Sequence, residues 1–118
     1  MKKRTLIVED DAATAMLLAI MLEDLGFEVC GTETTEDGAI RAARDCAPDL
    51  MIVDVNLRVG TGIEAVNTIL QRSYVAHVFV SADLTELKAQ RPDAIMLEKP
   101  YVYTQLANAI IRATSMKA

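Results

Sequence analysis

The sequence predicts an α/β protein: a doubly wound, five-stranded parallel sheet with helices on both faces. Three observations predict it. Short apolar runs alternate five times with longer helical patterns, the order that builds parallel sheets through right-handed crossovers. Leu50-Met51-Ile52-Val53 is apolar without alternation, as a strand covered on both faces must be. Acids, a hydroxyl and a lysine stand directly after these runs, where open sheets of this class hold their ligands.

Each element has its own warrant. Thr5-Leu6-Ile7-Val8 is a strand that ends in acids. Residues 12–25 place Leu18, Leu22 and Leu25 at helical spacing, and Gly26 stops that helix. Phe27-Glu28-Val29-Cys30 reads as the second strand. Thr35 caps a helix over 36–46, with Pro48 beyond it. Leu50–Val53 is the third strand, and Asn56–Thr61 is a loop containing Gly60. Gly62 opens a helix that runs to about Arg72. Val78-Phe79-Val80 is the fourth strand, followed by a short helix over 84–90 that Pro92 closes off. Ala94–Leu97 is the fifth strand. The last helix covers 101–115, with Val102, Leu106, Ile110 and Ala113 on one face.

The 118 residues hold one domain, 1–118, with no repeat or linker. Apolar residues make up 52%, which excludes disorder. A net charge of −5 leaves no basic footprint for nucleic acid and suits a cation better than a polyanion. Cys30 and Cys46 lack metal-ligand spacing and are expected to be buried free thiols, which suits a reducing compartment. Met1-Lys2-Lys3-Arg4 starts like a signal peptide, but the apolar run behind it stops at Glu9. No stretch is long enough to cross a bilayer. The expectation is a soluble cytoplasmic protein without membrane or direct nucleic-acid contacts.

The strand ends carry the chemistry. Glu9, Asp10 and Asp11 follow the first strand, Asp54 the third, Ser81 the fourth, and Lys99 with Pro100 the fifth. Carboxylates gathered on one rim repel unless a cation or proton offsets them. Oxygen ligands with open positions favour Mg²⁺. A carboxylate beside such an ion can attack a phosphoryl group. Lys99 and Ser81 would then offer a charge and a hydroxyl to the phosphoryl oxygens.

These residues resemble the receiver domain of two-component response regulators, of the single-domain chemotaxis type. The resemblance covers the whole chain. It rests on Leu6-Ile7-Val8-Glu9-Asp10-Asp11, Leu50-Met51-Ile52-Val53-Asp54, Val80-Ser81-Ala82 and Glu98-Lys99-Pro100-Tyr101. It implies a flavodoxin-like (βα)5 fold with strand order 2-1-3-4-5. It implies that Asp54 accepts a phosphoryl group from a sensor histidine kinase or a histidine phosphotransfer protein. Asp10 and Asp11 become the metal-site acids, with Asp11 and Asp54 ligating Mg²⁺ directly and the Asn56 backbone carbonyl beside them. Ser81 becomes the switch hydroxyl and Lys99 the phosphate-binding lysine. Pro100 is implied to be cis, next to the aromatic Tyr101. Gly62 matches the glycine that starts the family's third helix.

The chain departs from the family in four places. Met96 stands where a switch aromatic is common. Ser81 and Lys99 lie only 18 residues apart, so the fourth helix should be short or distorted. The output and dimer face of fourth helix, fifth strand and fifth helix must then differ. Arg58 replaces a frequent loop proline. Asn56 and Asp83 occupy positions that tune dephosphorylation, and two polar residues there imply a phosphoryl lifetime that is not especially long.

One reading comes from periodicity alone. With Leu18, Leu22 and Leu25 on the sheet, Met16 and Ile20 face outward as an apolar partner face. Two rival readings stand beside the phosphorylation switch. A small aspartate-nucleophile phosphatase would want an acid where Asn56 stands. A phosphorylation-independent pseudo-receiver would have no use for the acids or Lys99.

Overall fold

The structure, a computed structural model, describes residues 2–116. Its order is β1 (Arg4–Val8), α1 (Ala12–Asp24), β2 (Glu28–Glu33), α2 (Glu36–Cys46), β3 (Leu50–Asp54), α3 (Gly62–Leu70), β4 (Ala76–Ser81), α4 (Thr85–Gln90), β5 (Met96–Glu98) and α5 (Tyr103–Ser115). The strands form one sheet in the order β2-β1-β3-β4-β5. Every pairing is parallel. The fold class and strand order are those the sequence predicts.

β3 is buried at all five positions, as its unbroken apolar run requires. Leu6, Val8, Met51, Val53 and Phe79 face α2, α3 and α4. Ile7, Leu50, Ile52, Val78 and Val80 face α1 and α5. The alternation of side chains along each strand thus feeds two cores, one per face.

Helix starts follow local capping chemistry. Thr35 and Thr61 accept from the backbone N–H of Gly38 and Glu64, at 3.0 and 3.1 Å. The last helix begins at Tyr103, two residues later than its pattern suggests, with Val102 as N-cap. β5 is three residues long and starts at Met96 rather than Ala94. α4 has six residues, in line with the short Ser81–Lys99 interval.

Glycine is needed at two places near the third strand's end. A Cβ at Gly62 would collide with the carbonyl oxygen of Asp54, so only glycine lets α3 start against that backbone. Gly60 has φ +82° and lies against Glu36, whose carboxylate accepts from Thr61 N–H at 3.1 Å. Those contacts tie the loop after Asp54 to the start of α2.

The cysteines correct the sequence reading. Cys30 of β2 and Cys46 at the end of α2 are disulfide-bonded, with Cα atoms 6.3 Å apart. Neither is a free thiol, and the argument from free thiols to a reducing compartment falls. The crossover brings the end of α2 back over the edge strand it follows, and this places two distant cysteines together. Among the described residues no helix is long and apolar enough to cross a membrane.

Candidate phosphoryl-transfer site

The carboxyl ends of β1, β3, β4 and β5 meet on one rim. Glu9 follows β1 and is buried, and Asp54 closes β3 at 7% exposure. Lys99 extends from the end of β5 and donates to Glu9 Oε1 and to Asp54 Oδ2, both at 2.9 Å. The other Asp54 oxygen, Oδ1, accepts from the Asn56 backbone N–H at 2.9 Å. Ser81, fully buried at the end of β4, accepts from the Asn56 side-chain amide at 3.2 Å. Asn56 therefore touches both the Asp54 carboxylate and the Ser81 hydroxyl.

Carboxylate oxygens of Glu9, Asp10 and Asp54 lie within 4.8 Å of one another. At an effective dielectric near 20, each such pair repels by about 3.5 kcal/mol. Burial first, and Asp54 in addition, hold the Glu9 carboxyl above its ordinary range despite the Lys99 bond. Burial alone would lower the Lys99 ammonium, but its bonds to Asp54 and Glu9 outweigh that and raise it. Three carboxylates and one ammonium leave two negative charges. Hard oxygen donors with that residual charge fit one Mg²⁺ ion. Glu9, Asp10 and Asp54 are the residues that would hold it. Bound there, the ion would neutralise phosphoryl oxygens.

Asp11, expected as a direct ligand, stands outside this trio. It is the N-cap of α1, accepting from the backbone N–H of Thr14 at 2.8 Å and from its hydroxyl. Those bonds hold its carboxyl below the usual range. Glu9 and Asp10, rather than Asp10 and Asp11, are the acids that the structure gathers with Asp54. Glu9, left out of the metal set, is buried in the site. The missed signal is a capping one: an acid directly before an apolar helix, with Thr three residues on.

The remaining predicted residues fall as follows. The Lys99–Pro100 peptide is cis. Tyr101 is half-buried, and burial raises its hydroxyl pKa. Met96 is half-buried against the α2–α3–α4 core, paired across the sheet with Phe79. Asp83 is exposed after β4, while Arg58 lies exposed in the loop after β3. Met16 and Ile20 are exposed at 68% and 58%, and Leu17, which the sequence reading omits, joins them at 58%. Next to them a groove of about 460 Å³ runs from Leu17 and Met21 to Lys99, Pro100 and Tyr101.

Comparison with known proteins agrees with this geometry. The family model described as "Response regulator receiver domain" matches residues 5–110. The transcriptional regulatory protein PdtaR of Mycobacterium tuberculosis is 33% identical over 117 residues, covering 96% of this chain and 57% of PdtaR. The phyllosphere-induced regulator PhyR of Methylorubrum extorquens is 32% identical over 117 residues, covering 96% of this chain and 44% of PhyR. This chain thus spans about half the length of the curated relatives it matches. The solution structure of the Erythrobacter litoralis PhyR response regulator REC domain superposes with a TM-score of 0.89 at 27% identity, covering 98% of this chain and 92% of that one. With the parallel sheet and the acid-rich rim already in place, the chain belongs to the response regulator receiver domain family, the signalling modules of two-component systems.

Proposed function

We propose that the chain is a phosphorylation-dependent signalling switch in which Asp54 accepts a phosphoryl group from a phosphohistidine. The observation that carries this reading is the pair of hydrogen bonds that Lys99 donates to Glu9 and Asp54, beside the Asp10 carboxylate. In the step, an Asp54 oxygen forms a bond to phosphorus as the phosphorus–nitrogen bond breaks, and the imidazole leaves. Lys99 orients Asp54 and is placed to neutralise a phosphoryl oxygen. Ser81 supplies a hydroxyl donor. Mg²⁺ would be the cofactor, and Glu9, Asp10 and Asp54 would hold it together with the Asn56 carbonyl. Asn56 and Asp83 tune hydrolysis of the phosphoryl group. The chain turns over no metabolite. Where a phosphatase of this class would use an acid, the Asn56 amide instead donates to Ser81.

The phosphodonor is a histidine kinase or histidine phosphotransfer protein that docks on Met16, Leu17 and Ile20. Continuity of that face with the groove reaching Lys99 supports this. Ile20→Glu is expected to slow transfer from the protein donor and leave transfer from a small donor unchanged; equal slowing of both would remove the docking assignment. Output runs through protein contacts at the α4–β5–α5 face.

The test is intact mass after incubation with acetyl phosphate, with and without Mg²⁺. One Mg²⁺-dependent phosphoryl adduct, lost in Asp54→Asn, is expected. An adduct that persists in the variant would move the acceptor elsewhere, and no adduct from either a small or a protein donor would overturn the reading.

A further inference from the structure

The end of the sheet opposite the acid-rich rim holds a cavity that the phosphoryl chemistry does not use. It lies between the last turns of α2 and α3 and the approach to β4, and measures about 360 Å³. Its apolar lining comes from Ile40, Ala43, Pro48, Ile69 and Val75. The hollow follows from the sequence. Ala43 and Ala47 put only methyl groups on the α2 side of it. Ala47 has φ +50°, so the chain leaves the helix at once, and Pro48 carries it on toward β3. The walls are held by backbone bonds. Ala47 N–H donates to the Ala43 carbonyl at 3.0 Å, Arg72 N–H to the Ile69 carbonyl at 3.1 Å, and Asp49 N–H to the Arg4 carbonyl at 2.8 Å. Cys46, just before Ala47, is bonded to Cys30 of β2. The cavity is therefore preformed, as small-molecule sites usually are.

Its charge is the reverse of the chain's. The protein carries a net charge of −5, yet no Asp or Glu lines this cavity. The charged groups of the lining are Arg44 and Arg72, both exposed. Arg44 engages Asp45 through Nε at 3.1 Å, which leaves its two terminal nitrogens for another acceptor. Arg72 makes no ion pair among the described residues. Helix C-termini favour cations, and that alone accounts for an arginine near each. It does not account for the apolar hollow that both arginines line. The same helix ends set a condition on a ligand. Their carbonyls oppose a bare anion, so the negative charge has to come on an apolar body that the hollow takes up. Tyr74, with its ring 6.0 Å from that of His77, adds an aromatic wall.

We propose that this cavity binds a small amphipathic carboxylate, with its apolar body against Ile40, Ile69 and Val75 and its carboxylate between Arg44 and Arg72. At roughly 30 Å³ per water-sized group, the space takes about a dozen such groups, a medium chain or ring rather than a long acyl tail. A planar guanidinium matches the two oxygens of a carboxylate. The site is independent of Asp54 and does not rest on the phosphorylation reading.

Nitrogen–proton correlation NMR of the full chain, titrated with sodium octanoate, tests it. Saturable shifts are expected at the amides of Ile40, Ala43, Ile69, Ser73 and Val75, with those of Asp54, Ser81 and Lys99 unmoved. Acetate, which has the charge without the body, should give no saturable shift. Octanol, which has the body without the charge, should bind roughly tenfold more weakly, the loss of two solvent-exposed ion pairs. Joint replacement Arg44→Gln and Arg72→Gln should weaken octanoate by the same factor and leave octanol unchanged. Thr68→Phe puts a ring into the hollow from a half-buried position on α3 and should abolish binding of both. Unmoved cross-peaks from the acid-rich rim show that each variant is folded, and the arginine pair, at exposed positions, carries the test if Thr68→Phe does not fold. No saturable shift, shifts confined to the Met16 and Ile20 face, equal affinity for octanoate and octanol, or full octanoate binding by the arginine double variant would each overturn the site.

Discussion

Replacing Asp10 with Asn should stabilise the metal-free protein, whereas the same change at Asp11 should not. Asp10 faces two carboxylates within 4.8 Å, and each pair repels by about 3.5 kcal/mol at an effective dielectric of 20. Lys99, bonded to both neighbours, offsets about one of the two. Asp10 is half-exposed, so solvent screens what remains, to about 1–2 kcal/mol. Asp11 has a different duty: it caps α1 through Thr14. Asn is an equally good N-cap, so Asp11→Asn should leave stability nearly unchanged. Magnesium separates the two further. At a hundredfold excess over its dissociation constant, an ion that binds only the folded state adds about 2.7 kcal/mol. Urea unfolding of the wild type, Asp10→Asn and Asp11→Asn, each with and without MgCl₂, reads all of this. Asp10→Asn should gain in the absence of metal and lose the Mg²⁺ increment, while Asp11→Asn keeps it. If Asp11→Asn lost the increment and Asp10→Asn kept it, the assignment of the trio would be wrong.

Burial lowers the pKa of His77, the bond to the Val75 carbonyl opposes it, and the facing Arg91 guanidinium lowers it further; the Tyr74 ring lies 6.0 Å away. The folded state then binds fewer protons than the unfolded one, so this contribution is full above pH about 6.5 and is lost as pH falls below it. Urea midpoints at pH 7.5 and 5.5 should fall more for the wild type than for His77→Gln, and equal falls would refute the argument. Gly62→Ala drives a methyl into the Asp54 carbonyl and toward Val53 Cγ1, and should cost about 2–3 kcal/mol and slow adduct formation. A variant as stable as the wild type would show that α3 can shift without penalty. Cys46→Ser opens a disulfide that closes a 16-residue separation, worth about 3 kcal/mol. A reductant should lower the wild type by the same amount and leave Cys46→Ser unmoved.

The sheet was legible because burial writes itself into composition. Leu50–Val53 could only be a strand covered on both faces, and the acids after the strands could only lie on one rim. The register of those acids was less legible. Glu9, Asp10 and Asp11 are equivalent by composition, and only the turn out of β1 decides which of them face the site. The Asp11 bonds to Thr14 make that decision, and they are local chemistry that the sequence carries in Asp11-Ala12-Ala13-Thr14. The Cys30–Cys46 pairing carried no such signal, since it depends on where α2 ends over the edge strand. Leu17 escaped because a 100° step puts it on the helix flank, between the sheet-facing Leu18 and the outward Met16.

The same contrast separates the site from its readout. Glu9 and Asp54 are held by β1 and β3, strands with almost no exposed side chain, and charge placed there stays where the sheet puts it. α4 is six residues long, and its start is held by a few hydrogen bonds and the half-buried Leu84. A site that must orient a phosphoryl group gains from the first kind of support. An element that must answer to one gains from the second, because a local change can shift only an equilibrium already close to balance. The 18-residue interval between Ser81 and Lys99 leaves room for only this six-residue helix, so this end of the sheet carries an element held mainly by the buried Leu87 and the Arg91 contacts.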